Sequence, residues 1–289
     1  MKKYYYTLLR PEQWLKNIFV FIPLFFSHHL FDKEFIGKVV IAFVAFCLIA
    51  SSIYCFNDII DKEADSSHPK KMNRPIASGR VSVKAGYCLM FVCVLLSCVL
   101  SLLVNSAVLL IILSYFIMNV LYCVRLKEIA LVDVTIIAIG FVLRVFVGCL
   151  AGDIVISHWL VLMTFLLSLF LAFAKRRDDV LIYDKTGTKP RSNINRYSLD
   201  FVNLMIAFIG SITIVCYIMY TVSEEVVNRF DNSYVYLTTL FVILGIIRYM
   251  QLTVVDQQSG SPTHILLHNR FIQVCVLGWI ISFIYIIYF

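Results

Sequence analysis

Long apolar runs alternate with short polar breaks along the whole chain, and the runs approach the ~20 residues a helix needs to cross a ~30 Å hydrocarbon layer. Nine such runs stand out, at 18–31, 36–56, 82–104, 106–124, 129–151, 157–174, 201–221, 234–250 and 271–289. The first is short. β-Branched pairs such as Ile111-Ile112 and Ile136-Ile137 do not argue for strands within them. In lipid a backbone satisfies its own hydrogen bonds only as a helix or a closed barrel, and a barrel would alternate polar residues. The pattern therefore predicts an all-α integral membrane protein with nine transmembrane helices, in one polytopic domain over 1–289. No low-complexity tract or linker interrupts it.

The polar breaks give the runs a direction. With the N-terminus in the cytosol, the inner segments are 1–17, 57–81 with Lys84, 125–128, 175–200 and 248–270, and they hold 21 of the 25 Lys and Arg. That asymmetry predicts a cytosolic N-terminus and an extracytosolic C-terminus, in the cell membrane. Arg10-Pro11 breaks the first apolar stretch and no small-residue cleavage site follows it, so the N-terminus is expected to stay attached.

Composition agrees. The chain is 61% hydrophobic and 15% charged, whereas soluble domains average about 45–50% and about 25%, so a water-soluble enzyme is excluded. A net charge of +7 suits an anionic membrane face or anionic substrates without choosing between them. Nothing in it points to nucleic acid. The nine cysteines form no C-x-x-C pair and read as small apolar residues inside spans. His264 and His268 stand four apart but lack the acidic partner of a metal motif.

Candidate chemistry concentrates just after the second run, at Asn57-Asp58-Ile59-Ile60-Asp61-Lys62-Glu63-Ala64-Asp65. On a continuing helix Asp58, Asp61 and Asp65 fall at i, i+3 and i+7, with Asn57 beside them, so one stripe carries three carboxylates. Like charges that close repel, and a hard divalent cation relieves them. Mg²⁺ typically joins one or two carboxylates to phosphate oxygens, so Asn57, Asp58, Asp61 and Asp65 are candidate metal residues for a diphosphate substrate. Downstream, Lys70, Lys71, Arg74-Pro75-Ile76-Ala77-Ser78-Gly79-Arg80 adds cations and a turn on the same face. These suit phosphate oxygens, although Lys70 and Lys71 equally read as topology signals. Arg144 lies eleven residues beyond Asp133, about 16 Å along a helix. There it must face an internal cavity and is expected to pair with a carboxylate or phosphate, or to hold helices together. Lys16 and Asn17 are candidate substrate contacts or interfacial anchors.

The segments Asn57-Asp58-x-x-Asp61-x-x-x-Asp65 and Arg74-Pro75-Ile76-x-Ser78-Gly79 resemble the first signature of the UbiA-type intramembrane prenyltransferase superfamily. The resemblance continues at Arg10-Pro11-x-Gln13-Trp14-x-Lys16-Asn17, Tyr122-x-x-x-Leu126-Lys127, Asp133, Gly140-Phe141-Val142-Leu143-Arg144, Ala174-Lys175-Arg176 and Tyr197-Ser198-Leu199. Together these are similar to the decaprenyl-phosphate phosphoribosyltransferase branch over residues 10 to about 205. The resemblance implies nine helices around a cytosolic-facing cavity and Mg²⁺ as cofactor. It also implies transfer of 5-phosphoribosyl from phosphoribosyl diphosphate to a polyprenyl phosphate, in this membrane and with a homo-oligomer as one assembly open to it. Asp58, Asp61, Lys175 and Arg74 would be catalytic, and Lys16, Asn17, Lys70, Arg74, Tyr122, Lys127, Asp133, Arg144, Lys175, Arg176 and Tyr197 would bind substrate.

One departure from aromatic prenyltransferases stands out. Those carry a second Asp-rich motif after the sixth helix, whereas this chain opens its sixth loop with Lys175-Arg176-Arg177-Asp178-Asp179. A basic second pole suits three anionic groups: the diphosphate, the ribose 5-phosphate and the lipid phosphate. The role of Asp178 and Asp179 stays open. Two alternatives remain: transfer of a polyprenyl group from its diphosphate to an aromatic or isoprenoid acceptor, and a carrier of lipid phosphates or a metabolite.

Overall fold

The computed structural model describes residues 2–27, 32–66, 71–187, 189–258 and 262–288. Among them there is no strand, and the main helices are α1 (Lys2–Leu9), α2 (Lys33–Ile60), α3 (Val83–Val104), α4 (Ser106–Val124), α5 (Val132–Ala151), α6 (His158–Thr186), α7 (Leu199–Val222), α8 (Thr239–Val254) and α9 (Arg270–Tyr288). Among the described residues eight helical segments are long and apolar enough to cross a membrane: α2 to α7, Ser233–Val254 and α9 over Arg270–Ile287.

The run at 18–31 behaves differently. Pro11–Phe21 is a 3₁₀ helix that passes into the short α-helix Ile22–Phe25, and residues 28–31 lie outside the described ones. At ~2.0 Å per residue the 3₁₀ stretch rises about 22 Å, so fewer residues cover more distance than an α-helix would. The run at 157–174 also differs, because α6 continues to Thr186. Residues 175–186, expected to open a loop, are helical since Arg176 and Arg177 are buried on partners instead of standing in water.

Helix starts follow the side chains. Asp32, Ser82, Asn105 and Ser198 each accept a hydrogen bond from a first-turn amide, removing one of the donors a helix leaves unpaired. Asn105 also donates to the Leu150 carbonyl at 2.9 Å.

The chain forms two compact units, Met1–Lys127 with Gly140–Ile156, and Glu128–Ile139 with Ser157–Phe289. In the first, α2 is the central helix. Its Ala42, Ala45, Phe46, Ile49 and Ala50 pack with Val108, Ile112 and Tyr115 of α4 and Val147 and Ala151 of α5. Small residues on α2 let neighbours approach, which is how helices associate where lipid removes the hydrophobic drive between them. Ser97 of α3 uses this closeness to donate to the Ala45 carbonyl at 2.7 Å. Gly148 shows the tightest approach, since a Cβ there would lie 2.0 Å from the Val20 oxygen. In the second unit Phe170 and Phe173 of α6 pack with Ile206 and Ile209 of α7 and Ile246, Tyr249 and Leu252 of α8. Outward positions such as Phe91, Leu103, Leu204 and Val274 are exposed and apolar, as lipid-facing positions require.

Candidate active site

In the first unit α2 ends at Ile60, Asp61 takes the capping position with φ −84° and ψ 5°, and a short helix restarts at Lys62–Ser66. The stripe expected from a continuing helix is therefore bent at its middle member. Asp58 and Asp65 are each 2% exposed and converge on Arg74, whose Nη1 donates to Asp58 Oδ1 at 3.2 Å and to Asp65 Oδ2 at 2.6 Å. Asp61 turns elsewhere and accepts from Lys127 Nζ at 2.6 Å. Among the described residues no three acidic, His or Cys side chains gather as a metal set, so the expected group of Asn57, Asp58, Asp61 and Asp65 is not assembled as one. Asn57 is half-buried, and its carbonyl accepts the Asp61 amide at 2.9 Å.

Arg74 owes its place to the turn behind it. Ser78 Oγ donates to the Arg74 carbonyl at 2.8 Å, the Gly79 amide reaches the Ile76 carbonyl at 3.1 Å, and Gly79 adopts φ +72°. That is a left-handed conformation glycine takes without steric cost. The donor set suits a magnesium ion with a phosphate ligand. Two buried carboxylates already point oxygens at one cationic atom, and Mg²⁺ needs one or two carboxylates when phosphate and water complete its shell.

Spacing along the chain assigns no partner to Arg10, yet its Nη2 donates to Asp58 Oδ1 at 2.5 Å while its guanidinium lies 5.1 Å from the Tyr54 ring. The neighbouring Trp14 Nε1 donates to Ser51 Oγ at 3.0 Å, which in turn donates to the Leu9 carbonyl. Lys71 Nζ stands 3.9 Å from Asp65, and Lys70 lies outside the described residues. Lys16 and Tyr122 are half-buried.

Arg144 is buried, as its depth demanded, but among the described residues it meets no carboxylate. Its Nε donates to Asn17 Oδ1 at 2.8 Å, its Nη1 to the Gly140 carbonyl at 2.6 Å and its Nη2 to Tyr115 Oη at 3.2 Å. Phe46, Tyr115 and Phe141 surround the guanidinium at 4.9 to 5.2 Å, which adds cation–π attraction. Asn17 is buried between this arginine and Cys47 Sγ, to which it donates at 3.2 Å. Both residues thus serve the packing of the unit.

The second unit holds a different set. Asp133 at the start of α5 and Arg176 on α6 are both 0% exposed, with Arg176 Nε 2.8 Å from Asp133 Oδ2. Tyr197 donates to Asp133 Oδ1 at 2.6 Å and accepts the Leu131 amide at 2.8 Å. Burial first, and the bond to Asp133 second, push the Tyr197 hydroxyl well above the ordinary tyrosine range, so it stays a donor. Arg176 Nη1 also donates to Asp179, which accepts from Arg191 Nε at 3.0 Å. Arg177 donates to Asn203 Oδ1 at 2.8 Å and to the carbonyls of Thr253 and Val254 at 2.7 and 3.2 Å, closing the C-terminal end of α8 as a cation should. Of the three consecutive cations only Lys175 is exposed. Arg191 was not marked by spacing, and the role of Asp179 stayed open, because their pairing depends on how 189–197 returns to α6.

The matching family model is that of the UbiA prenyltransferase family, over residues 17–189. The chain belongs to the UbiA prenyltransferase family. Similar to this UbiA chain is a protein of Mycolicibacterium smegmatis named decaprenyl-phosphate phosphoribosyltransferase, 32% identical, over 94% of this chain and 88% of that one. A protein of the same name from Corynebacterium glutamicum is 31% identical over 97% of this chain and 85% of its own. The UbiA fold itself is matched by the solved structure of a UbiA homolog from Archaeoglobus fulgidus bound to GPP and Mg²⁺, with a TM-score of 0.73 at 18% identity over 98% of this chain and 99% of that one.

Proposed function

We propose that this UbiA-family protein transfers 5-phosphoribosyl from phosphoribosyl diphosphate to a decaprenyl-like polyprenyl phosphate, releasing diphosphate. The observation that carries this reading is the nearly end-to-end similarity to relatives named decaprenyl-phosphate phosphoribosyltransferase. Where a second acidic motif would stand, the chain carries Lys175-Arg176-Arg177, of which the exposed Lys175 suits a further anionic group of that substrate set.

Asp58 and Asp65 would hold Mg²⁺, with Asn57 and Asp61 next to them. When bound, the ion supplies neutralisation of the charge that develops on the departing diphosphate. Arg74 and Lys127, already beside the carboxylates, would take phosphate oxygens, as would Lys70, Lys71 and Lys16. Lys175 is the exposed cation of the second unit and would orient a further phosphate, and Tyr122 of the first unit would contact substrate. The polyprenyl phosphate is an anion at neutral pH and attacks the anomeric carbon opposite the diphosphate, which inverts it from α to β. Asn17, Arg144, Asp133, Arg176 and Tyr197 act by fixing the helices that carry these groups.

In this reading the whole chain works as one membrane domain of the cell membrane, with a cytosolic N-terminus. Pro11–Phe25 forms part of a ninth crossing, and the cavity opens to the cytosol. The test is a product assay on detergent-purified protein with Mg²⁺ and labelled phosphoribosyl diphosphate. Label should enter the lipid phase only when polyprenyl phosphate is present. Product from a polyprenyl diphosphate and an aromatic acid instead would keep the fold and replace the reaction.

A further inference from the structure

Each aspartate of the acidic cluster is gripped by a cation of the chain itself. Asp58 holds Arg10 at 2.5 Å and Arg74 at 3.2 Å, Asp65 holds Arg74 at 2.6 Å, and Asp61 holds Lys127 at 2.6 Å. Three negative charges thus face three positive ones, with Lys71 further off at 3.9 Å from Asp65. A cluster that is already neutral has little net attraction for a lone divalent cation. At Asp58 and Asp65 the cations are also the accessible members, and at Asp61 both partners are, the carboxylate being 25% exposed. Side chains of Arg10, Arg74 and Lys127 are 22%, 25% and 23% exposed, against 2% and 3% for Asp58 and Asp65. A guanidinium at such a site can leave its carboxylate for water or another anion without the desolvation cost that traps a fully buried pair.

Arg10 is held for this position. Its backbone is left-handed, at φ 49° and ψ 59°, a state rare for residues with a Cβ, and it precedes Pro11, which biases a residue toward extended backbone. Its carbonyl accepts the Gln13 amide at 2.9 Å. Arg10 and Arg74 therefore meet on one oxygen, Asp58 Oδ1, where a metal ligated by Asp58 would compete with both.

We infer that Arg10, together with Arg74 and Lys127, is an exchangeable counter-ion of the acidic cluster, so that a divalent cation binds weakly alone and binds well with diphosphate, which receives the released cations. This deepens the proposed reaction and rests on it for the identity of the anion. By linkage, whatever diphosphate does for the metal the metal does for diphosphate, and couplings of this kind are typically about 5- to 150-fold.

The probe is Mn²⁺, followed by electron paramagnetic resonance on the full chain in detergent. Without diphosphate, Arg10→Gln is expected to bind Mn²⁺ about 5-fold or more tightly than the wild type, because one competing charge has gone. Arg10→Lys keeps the charge and should stay near wild type, while Asp58→Asn should lose binding. Inorganic diphosphate should then tighten Mn²⁺ binding more in the wild type than in Arg10→Gln, and complex formation in solution is common to both. A folded Arg10→Gln chain that binds Mn²⁺ no more tightly than wild type, or responds equally to diphosphate, overturns the exchange. Should that variant not fold, Lys127→Gln carries the same comparison at Asp61: tighter Mn²⁺ binding supports the exchange and unchanged binding overturns it. The reaction itself is tested separately. A tighter Arg10→Gln site with no phosphoribosyl transfer by the wild type keeps the exchange and removes the reaction, and transfer with Mn²⁺ affinity indifferent to Arg10 does the reverse.

Discussion

Asp58 and Asp133 are both buried aspartates at a helix end, and each is gripped by an arginine, yet the arginines live in different surroundings. Arg10 and Arg74 around Asp58 keep about a quarter of their side chains in contact with solvent, whereas Arg176 at Asp133 keeps none. A partly exposed guanidinium loses little hydration in its pair and regains it on leaving. One that is fully buried has surrendered its hydration at folding, and its departure would strand a bare carboxylate. The same two residue types thus give a set that can change partners in the first unit and a fixed joint in the second, where Arg176 ties α6 to the start of α5 and, through Asp179, to Arg191.

The largest effect expected from this contrast is on stability. Arg176→Met removes one partner of the buried pair and should destabilise the protein by about 3–5 kcal/mol, read as a fall in thermal unfolding temperature in detergent. A variant as stable as wild type would break the comparison. Asp58→Asn should leave the fold intact, because Arg10 and Arg74 can be solvated, and lower the transfer rate about 100- to 1000-fold, the scale of losing one electrostatic stabiliser in a reaction. Unfolding of that variant, or turnover at the wild-type rate, would place Asp58 with the fixed joints.

A smaller effect belongs to Tyr197→Phe. It removes a hydrogen bond to a charged acceptor, worth about 1.5–3 kcal/mol. Because the folded hydroxyl is held above its ordinary value of 10.0, the folded chain keeps a proton that the unfolded chain releases, and wild-type stability should fall as pH rises past that value. Phenylalanine at 197 should lessen this alkaline loss, measured as unfolding temperature between neutral and alkaline pH. The smallest effect is at Lys185, whose Nζ donates to Gln257 Oε1 at 2.8 Å in an exposed contact. Lys185→Ala should change stability by no more than about 0.5 kcal/mol and leave transfer activity as it is.

Much of the fold was legible in the order of residues. Apolar runs of helical length located eight helices, among the described residues, long and apolar enough to cross a membrane, because lipid lets a backbone form little else. The run at 18–31 was harder, since a 3₁₀ stretch covers distance with fewer residues than the ~20 expected of an α-helix, and composition does not distinguish the two. The end of α6 was misplaced for another reason. Lys175-Arg176-Arg177 looks like a membrane-surface break when each cation is assumed to need water, and the assumption fails once Asp133, Asn203 and the Thr253 carbonyl arrive from distant segments.

At the candidate site, spacing brought attention to Asp58, Asp61, Asp65 and Arg74, and the structure brings three of those four side chains together while Asp61 pairs with Lys127. Arg10 had no visible claim on Asp58, being 48 residues away.

By itself the sequence determined that this is a helical membrane protein with acidic and basic residues gathered in the breaks between spans. These are properties of local composition and period, which each segment carries without its neighbours. Only the tertiary structure decided which cation meets which carboxylate, and which of those pairs is shut away from water. An ion pair's strength and permanence depend on its distance and on the burial of both partners, and neither quantity exists until segments far apart in the chain have packed.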